Sequence, residues 1–151
     1  WVGRLLLVRR LDDWDQKLFA VIDAARQRRF AYGVHDCCVF AADCVMAQTG
    51  VDPMAGIRGY RGEDAAQEII NEFGSLSKAT RAVLGRPYRG RKGQAKRGDM
   101  VLGRILDEWA VGVCLGQVAA FATISQKGLV FVPMARAEVR LAWDIEKVSN
   151  G

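Results

Sequence analysis

The feature that most limits what this chain can fold into is a change of hydrophobic period near its middle. Up to about residue 85 the apolar side chains recur in steps of three and four; from about residue 99 they form short runs between turn residues. Steps of three and four line one side of a helix, whereas short apolar runs closed by turns suit strands. The sequence therefore predicts an α+β fold in a single domain. It divides into helices over 12–85, an exposed basic loop over 86–97 and an antiparallel sheet over 99–145. Helices first and a meander of strands after them place the helices on one face of the sheet.

Punctuation residues set the expected boundaries. Asp12 or Asp13 caps a first helix whose apolar side is Trp14, Leu18, Val21, Ile22 and Ala25. Arg26, Arg28 and Arg29 follow, where cations suit the negative end of the helix dipole. Asp36 is the N-cap of a second helix, from Cys37 to about Gln48, with Gly50 as its stop. A third helix runs from Glu63 to Phe73 and ends at Gly74; a short fourth starts at Ser75 or Ser77 and ends at Gly85. The strand candidates are Met100–Leu102, Trp109–Leu115, Val118–Ile124, Leu129–Val132 and Val139–Trp143. Gly116-Gln117 and Gln126-Lys127-Gly128 are candidate hairpin turns.

Composition excludes several classes. At 151 residues, half of them hydrophobic, the chain is large enough for a core of its own and too apolar for intrinsic disorder. No apolar run approaches the roughly 18 residues of a membrane helix. The Leu5–Val8 run is closed at once by Arg9-Arg10, so neither a membrane span nor a secretory signal is expected. The net charge of +5 is a modest attraction for acidic partners. Three of the four cysteines, Cys37, Cys38 and Cys44, lie close together and only Cys114 stands apart. That is not the spacing of a secreted disulfide framework, and it predicts a reduced, intracellular folding history.

The chemistry concentrates at His35-Asp36-Cys37-Cys38. With Asp36 as cap, Cys37 occupies the first helical turn, where unpaired N–H groups and the dipole favour a thiolate, the form that attacks carbonyls. The plainer reading makes Cys37, Cys38 and Cys44 small core residues. A metal is not expected. Cys37 and Cys44 would stand about 10 Å apart along a helix, against a zinc–sulfur bond of about 2.3 Å. His35, the chain's one histidine, is the only imidazole available as a base. The cap turns the chain between it and Cys37, so His35 reads as a loop residue that packs or hydrogen-bonds near the helix start. No cofactor is expected.

The segment Arg86–Arg97 carries six basic residues in twelve, with Tyr88 its only aromatic. It lacks a stacking platform or a base-reading helix, so nucleic acid is not the expected partner. Solvation, or docking on an acidic neighbour, is. Gly98-Asp99 reads as the turn into the first strand.

Four segments together resemble a known family. They are Phe30-x-Tyr32-Gly33-x-His35-Asp36-Cys37-x-x-Phe40, Thr49-Gly50-x-Asp52-Pro53, Arg97-Gly98-Asp99-Met100-Val101 and Ala110-Val111-Gly112-Val113-Cys114-Leu115-Gly116. Their order resembles the papain-like fold of the NlpC type, a superfamily of bacterial and phage cell-wall cysteine peptidases. The likeness is greatest to a subgroup from tailed-phage tail gene clusters. The resemblance implies Cys37 as nucleophile and puts the basic histidine at the start of the second strand, where this chain has Ala110. The orienting polar residue should come from the next strand, where Val118–Ala122 offers none. It therefore implies a degenerate peptidase scaffold. The chain would be a structural component of a phage tail tip or baseplate, contacting hub and distal tail proteins. It would be made in the host cytoplasm and carried in the virion. The alternative is an active peptidase that opens peptidoglycan for genome entry through Cys37, and a nucleic-acid-binding domain comes third. Strand alternation sets Ala110, Gly112 and Cys114 on one face. If that face meets the helix, Cys114 approaches Cys37.

Overall fold

The computed structural model describes residues 9–89, 94–124, 127–136 and 138–148. The Leu5–Val8 run, residues 90–93 of the basic segment and Gln126 of the second turn lie outside them. Four helices precede five strands: α1 Trp14–Ala25, α2 Cys37–Thr49, α3 Gly62–Phe73, α4 Leu76–Leu84, β1 Met100–Ile105, β2 Glu108–Cys114, β3 Val118–Phe121, β4 Val130–Pro133 and β5 Glu138–Trp143. A single 3-10 turn, Ile145–Lys147, follows β5. The strands form one antiparallel sheet in the order β4-β3-β2-β1-β5. Mixed α+β architecture, helices first, is what the change of period predicts.

Caps and stops act where the residue types put them. The Asp36 carboxylate accepts from the Val39 N–H at 2.7 Å, and the Ser75 hydroxyl from the Lys78 N–H at 3.1 Å. Gly50 ends α2 in the left-handed conformation. Asp13 precedes α1 but makes no side-chain cap bond; it pairs instead with Lys17 one turn on, at 3.6 Å.

The strands deviate in length. β1 runs three residues beyond Leu102, β2 begins at Glu108, and β3 stops at Phe121 rather than Ile124. β1 and β2 are joined by the two-residue turn Leu106-Asp107, with both residues at positive φ, 52° and 65°. A turn without glycine or asparagine carries almost no sequence signal.

Both faces of the sheet are packed. On one, Leu18 and Ile22 of α1 and Phe40, Cys44 and Val45 of α2 meet Met100, Leu102, Val111, Val113 and Trp143. On the other, Val101, Ala110, Cys114, Ala119, Phe121 and Val139 form a second cluster, covered partly by Tyr88 and Ala95 and by Val130 and Val132 of β4. Trp143 is buried and its Nε1–H donates to the Gly85 carbonyl at 2.9 Å, tying β5 to the end of α4. Phe121 is buried too, while Trp109 and Phe131 reach solvent. Among the described residues no helix is long and apolar enough to cross a membrane.

The basic segment is not simply solvated. Lys96 Nζ lies 2.8 Å from Asp144 and 3.2 Å from Asp99, and Arg97 reaches Asp15 at 3.5 Å. Lys96 and Arg97 of this segment dock on carboxylates of the chain itself.

Candidate functional site

The site begins with a tight loop. Ala31 and His35 pair as an isolated antiparallel bridge, so the chain reverses over Tyr32-Gly33-Val34 and delivers Asp36 to the start of α2. Gly33 adopts φ +84°, and a Cβ there would collide with the Tyr60 carbonyl. Asp36 is buried and fully engaged. It accepts from the Gly33 N–H at 2.8 Å, from the Val39 N–H and from the Tyr60 hydroxyl. Burial and the adjacent carboxylate hold the Tyr60 phenol far above its ordinary range, so it stays a donor. Tyr60 comes from the loop between α2 and α3 and has no sequence signal linking it to Asp36.

Cys37 follows in the first turn of α2 and is partly exposed. Its sulfur lies 3.9 Å from that of Cys38. The Cys38 thiol and the backbone N–H of Val111 on β2 stabilise a Cys37 thiolate. Together they hold the Cys37 thiol below its ordinary range, against burial and the Asp36 and Glu108 carboxylates. Cys38 is pushed well above by its bond to Cys37 and by burial. Of the two thiols Cys37 is the one held toward the thiolate, and it is the residue that helix position alone selects.

The contacts of His35 are with other groups. Its ring is buried, with Nε2 3.2 Å from the Gly128 carbonyl and an edge contact to Phe40. Gly128 in turn donates its N–H to Arg28 O at 2.9 Å, and a Cβ there would strike the Arg26 backbone. His35 thus pins the loop before β4 to the ends of α1 and α2, the packing role expected of a loop histidine. Cys114 and Cys37 are both free thiols and form no disulfide. Most of α2 packs on the opposite face, against Val111 and Val113, while Cys37 at its start also packs against the cluster that holds Cys114, whose sulfur accepts from the Gly116 N–H at 3.4 Å. Cys44 is buried among the core residues of α2, and burial pushes its thiol well above the ordinary range.

A family model described as a domain of unknown function, DUF6950, matches residues 9–145. The chain belongs to that family. The match takes in every helix and strand of the DUF6950 fold described here, and with them the whole site. No curated protein matches the chain.

Beside Cys37 the DUF6950 domain has a cavity of about 120 Å³ between α2, α3, α4 and the 51–61 loop, with Val111 closing it from the sheet. Sequence periodicity cannot reveal it, since it arises where the α3–α4 pair meets α2. All four cysteines are free thiols, and among the described residues no group of three or more His, Cys, Asp or Glu is placed to hold a metal.

Proposed function

We propose that this DUF6950 chain is a structural component of a phage tail tip, built on a papain-like NlpC-type scaffold that has lost its hydrolytic chemistry. The observation that carries the reading is the location of the only imidazole. His35 Nε2 is held at the Gly128 carbonyl, and Ala110 stands on β2 where the family resemblance implies a histidine. Amide hydrolysis needs a group that takes the thiol proton and returns it to the departing amine. The polar groups near Cys37 include Cys38, the Val111 N–H, Asp36, Glu108 and the Tyr32 and Tyr60 phenols, and none is an imidazole. Asp36 is spent on its cap bonds, and Glu108 accepts from the Ile124 N–H at 3.3 Å. Neither carboxylate is a partner for the amine. A nucleophile stripped of its base loses most of the rate of the intact unit.

The expected partners are hub and distal tail proteins, with the scaffold serving for shape. Zymograms on peptidoglycan should show no clearing by the wild type and none by Cys37→Ala. Antibody against the chain should decorate the capsid-distal end of purified particles. Clearing by wild type alone would establish the alternative, a cell-wall peptidase using Cys37, which the lowered thiol favours. Purified particles without the chain would remove the tail-tip assignment.

A further inference from the structure

The cavity beside Cys37 plays no part in that proposal, and its lining is chemically selective. Its walls are mainly apolar, with Ile57, Ile69, Phe73 and Leu84 among them and Cys37 and Cys38 alongside. The polar side chains that reach it are already engaged. Asp36 and Tyr60 bond to each other, and the Thr80 hydroxyl donates to the Leu76 carbonyl at 2.7 Å. Tyr32 is partly open to solvent. Away from the Tyr32 and Cys37 end, the described walls offer a ligand mainly apolar contact. A cavity of this size and lining accepts hydrocarbon, here a chain of about five carbons.

We propose that Cys37 accepts a short unbranched acyl group from an acyl thioester, with the hydrocarbon tail lodged in this cavity. The Cys37 thiolate attacks the carbonyl carbon and a new sulfur–carbon bond forms. The old carbon–sulfur bond breaks, and its electron pair leaves with the donor's thiolate. No proton has to move. An amine must be protonated to depart, but a thiolate leaves as the anion, so the missing imidazole blocks peptidolysis without blocking this exchange. The Cys37 and Cys38 N–H groups, the first two of α2, have no acceptor within the helix, which leaves them available to the developing oxyanion. The inference stands apart from the tail-tip reading, since it uses only the thiol and the cavity.

The test is intact-protein mass spectrometry of the full chain incubated with acetyl and hexanoyl thioesters of coenzyme A. A single hydroxylamine-labile hexanoyl adduct should form, map to Cys37 and vanish in Cys37→Ser. Hexanoyl transfer should outrun acetyl transfer by about tenfold or more, because the longer tail buries more apolar surface. Ala66→Phe, which fills the cavity from α3, should bring the hexanoyl rate down to the acetyl rate. Should that variant misfold, benzene added to the wild type is the second arm: it should slow hexanoyl transfer and leave acetyl transfer unchanged. Equal rates for the two chains, an adduct on Cys38 or Cys114, or indifference to benzene would each overturn the proposal.

Discussion

At the scale of single residues, the least expected position is Leu106. It sits with Asp107 in a two-residue turn in which both residues take positive φ, at 52° and 65°, although a leucine side chain disfavours that region. Leu106 is also exposed, so it gains little from burial in return. Leu106→Asn should therefore stabilise the protein by about 0.5–1 kcal/mol, asparagine being at ease in this turn. Urea melts of the two proteins should give the same slope and a higher midpoint for the variant; a lower midpoint would show that the Leu106 side chain makes a contact worth more than the strain. The same turn explains a gap in what the sequence discloses. Leu-Asp lacks the Asn-Gly signature, so β1 looks shorter than it is and β2 is read one residue late. Asp36 is the opposite case: an acidic residue ahead of Cys-Cys and an apolar run reads directly as a cap. Its third partner, Tyr60, lies 24 residues on and becomes visible only once the loop is folded.

At the scale of elements, the helices were readable because glycines end three of them, at Gly50, Gly74 and Gly85. What periodicity could not tell was how the 51–61 loop is held against α2, because that depends on charges far apart in sequence. Arg58 does it, with Nε 2.7 Å from Asp52 in the loop and a terminal nitrogen 2.8 Å from Asp43 on α2. Burial raises the Asp52 carboxyl, but the Arg58 hydrogen bonds and the Met54 N–H outweigh it and leave the group below its ordinary range. A depressed carboxyl contributes stability that is present above its unfolded pKa, near 4, and that disappears as pH falls through the lower folded value. Arg58→Gln should accordingly cost about 1 kcal/mol at neutral pH, since the cluster is partly open to water. The gap between variant and wild type should close as the pH is lowered from 5 toward 2. A gap that persists unchanged at low pH would mean that Arg58 acts through packing of its stem and not through charge.

At the scale of the whole molecule, the helical half and the sheet are joined by more than apolar contact, and Asp99 is the centre of that join. The sequence presents Gly98-Asp99 as a turn into the first strand, which it is, but a turn aspartate is ordinarily solvated. This one is fully buried. It accepts from the Tyr88 hydroxyl at 2.6 Å, the Lys96 N–H at 2.8 Å and the Ile145 N–H at 3.0 Å, and faces Lys96 Nζ at 3.2 Å and Arg10 at 4.0 Å. Those partners come from the segment before α1, the loop before β1 and the turn after β5, so one carboxylate fastens three stretches distant in sequence. The first, Arg10, also stacks over Trp14 at the start of α1, with Arg97 on the same ring at 5.2 Å. Local pattern could not foretell this, because each partner alone looks like a surface residue of a polar loop. Removing the carboxylate strands buried donors and two cations, a loss in the range of about 3–5 kcal/mol, whereas removing an exposed partner leaves the rest intact. Asp99→Ala should thus lower Tm by on the order of ten degrees. Lys96→Met, which takes away a half-exposed ammonium, should lower it by only a few. Thermal melts at one pH and salt concentration decide between the two roles. Comparable losses in both variants would identify the ion pairs at the surface as the join, and a large loss confined to Asp99→Ala would place it in the buried carboxylate.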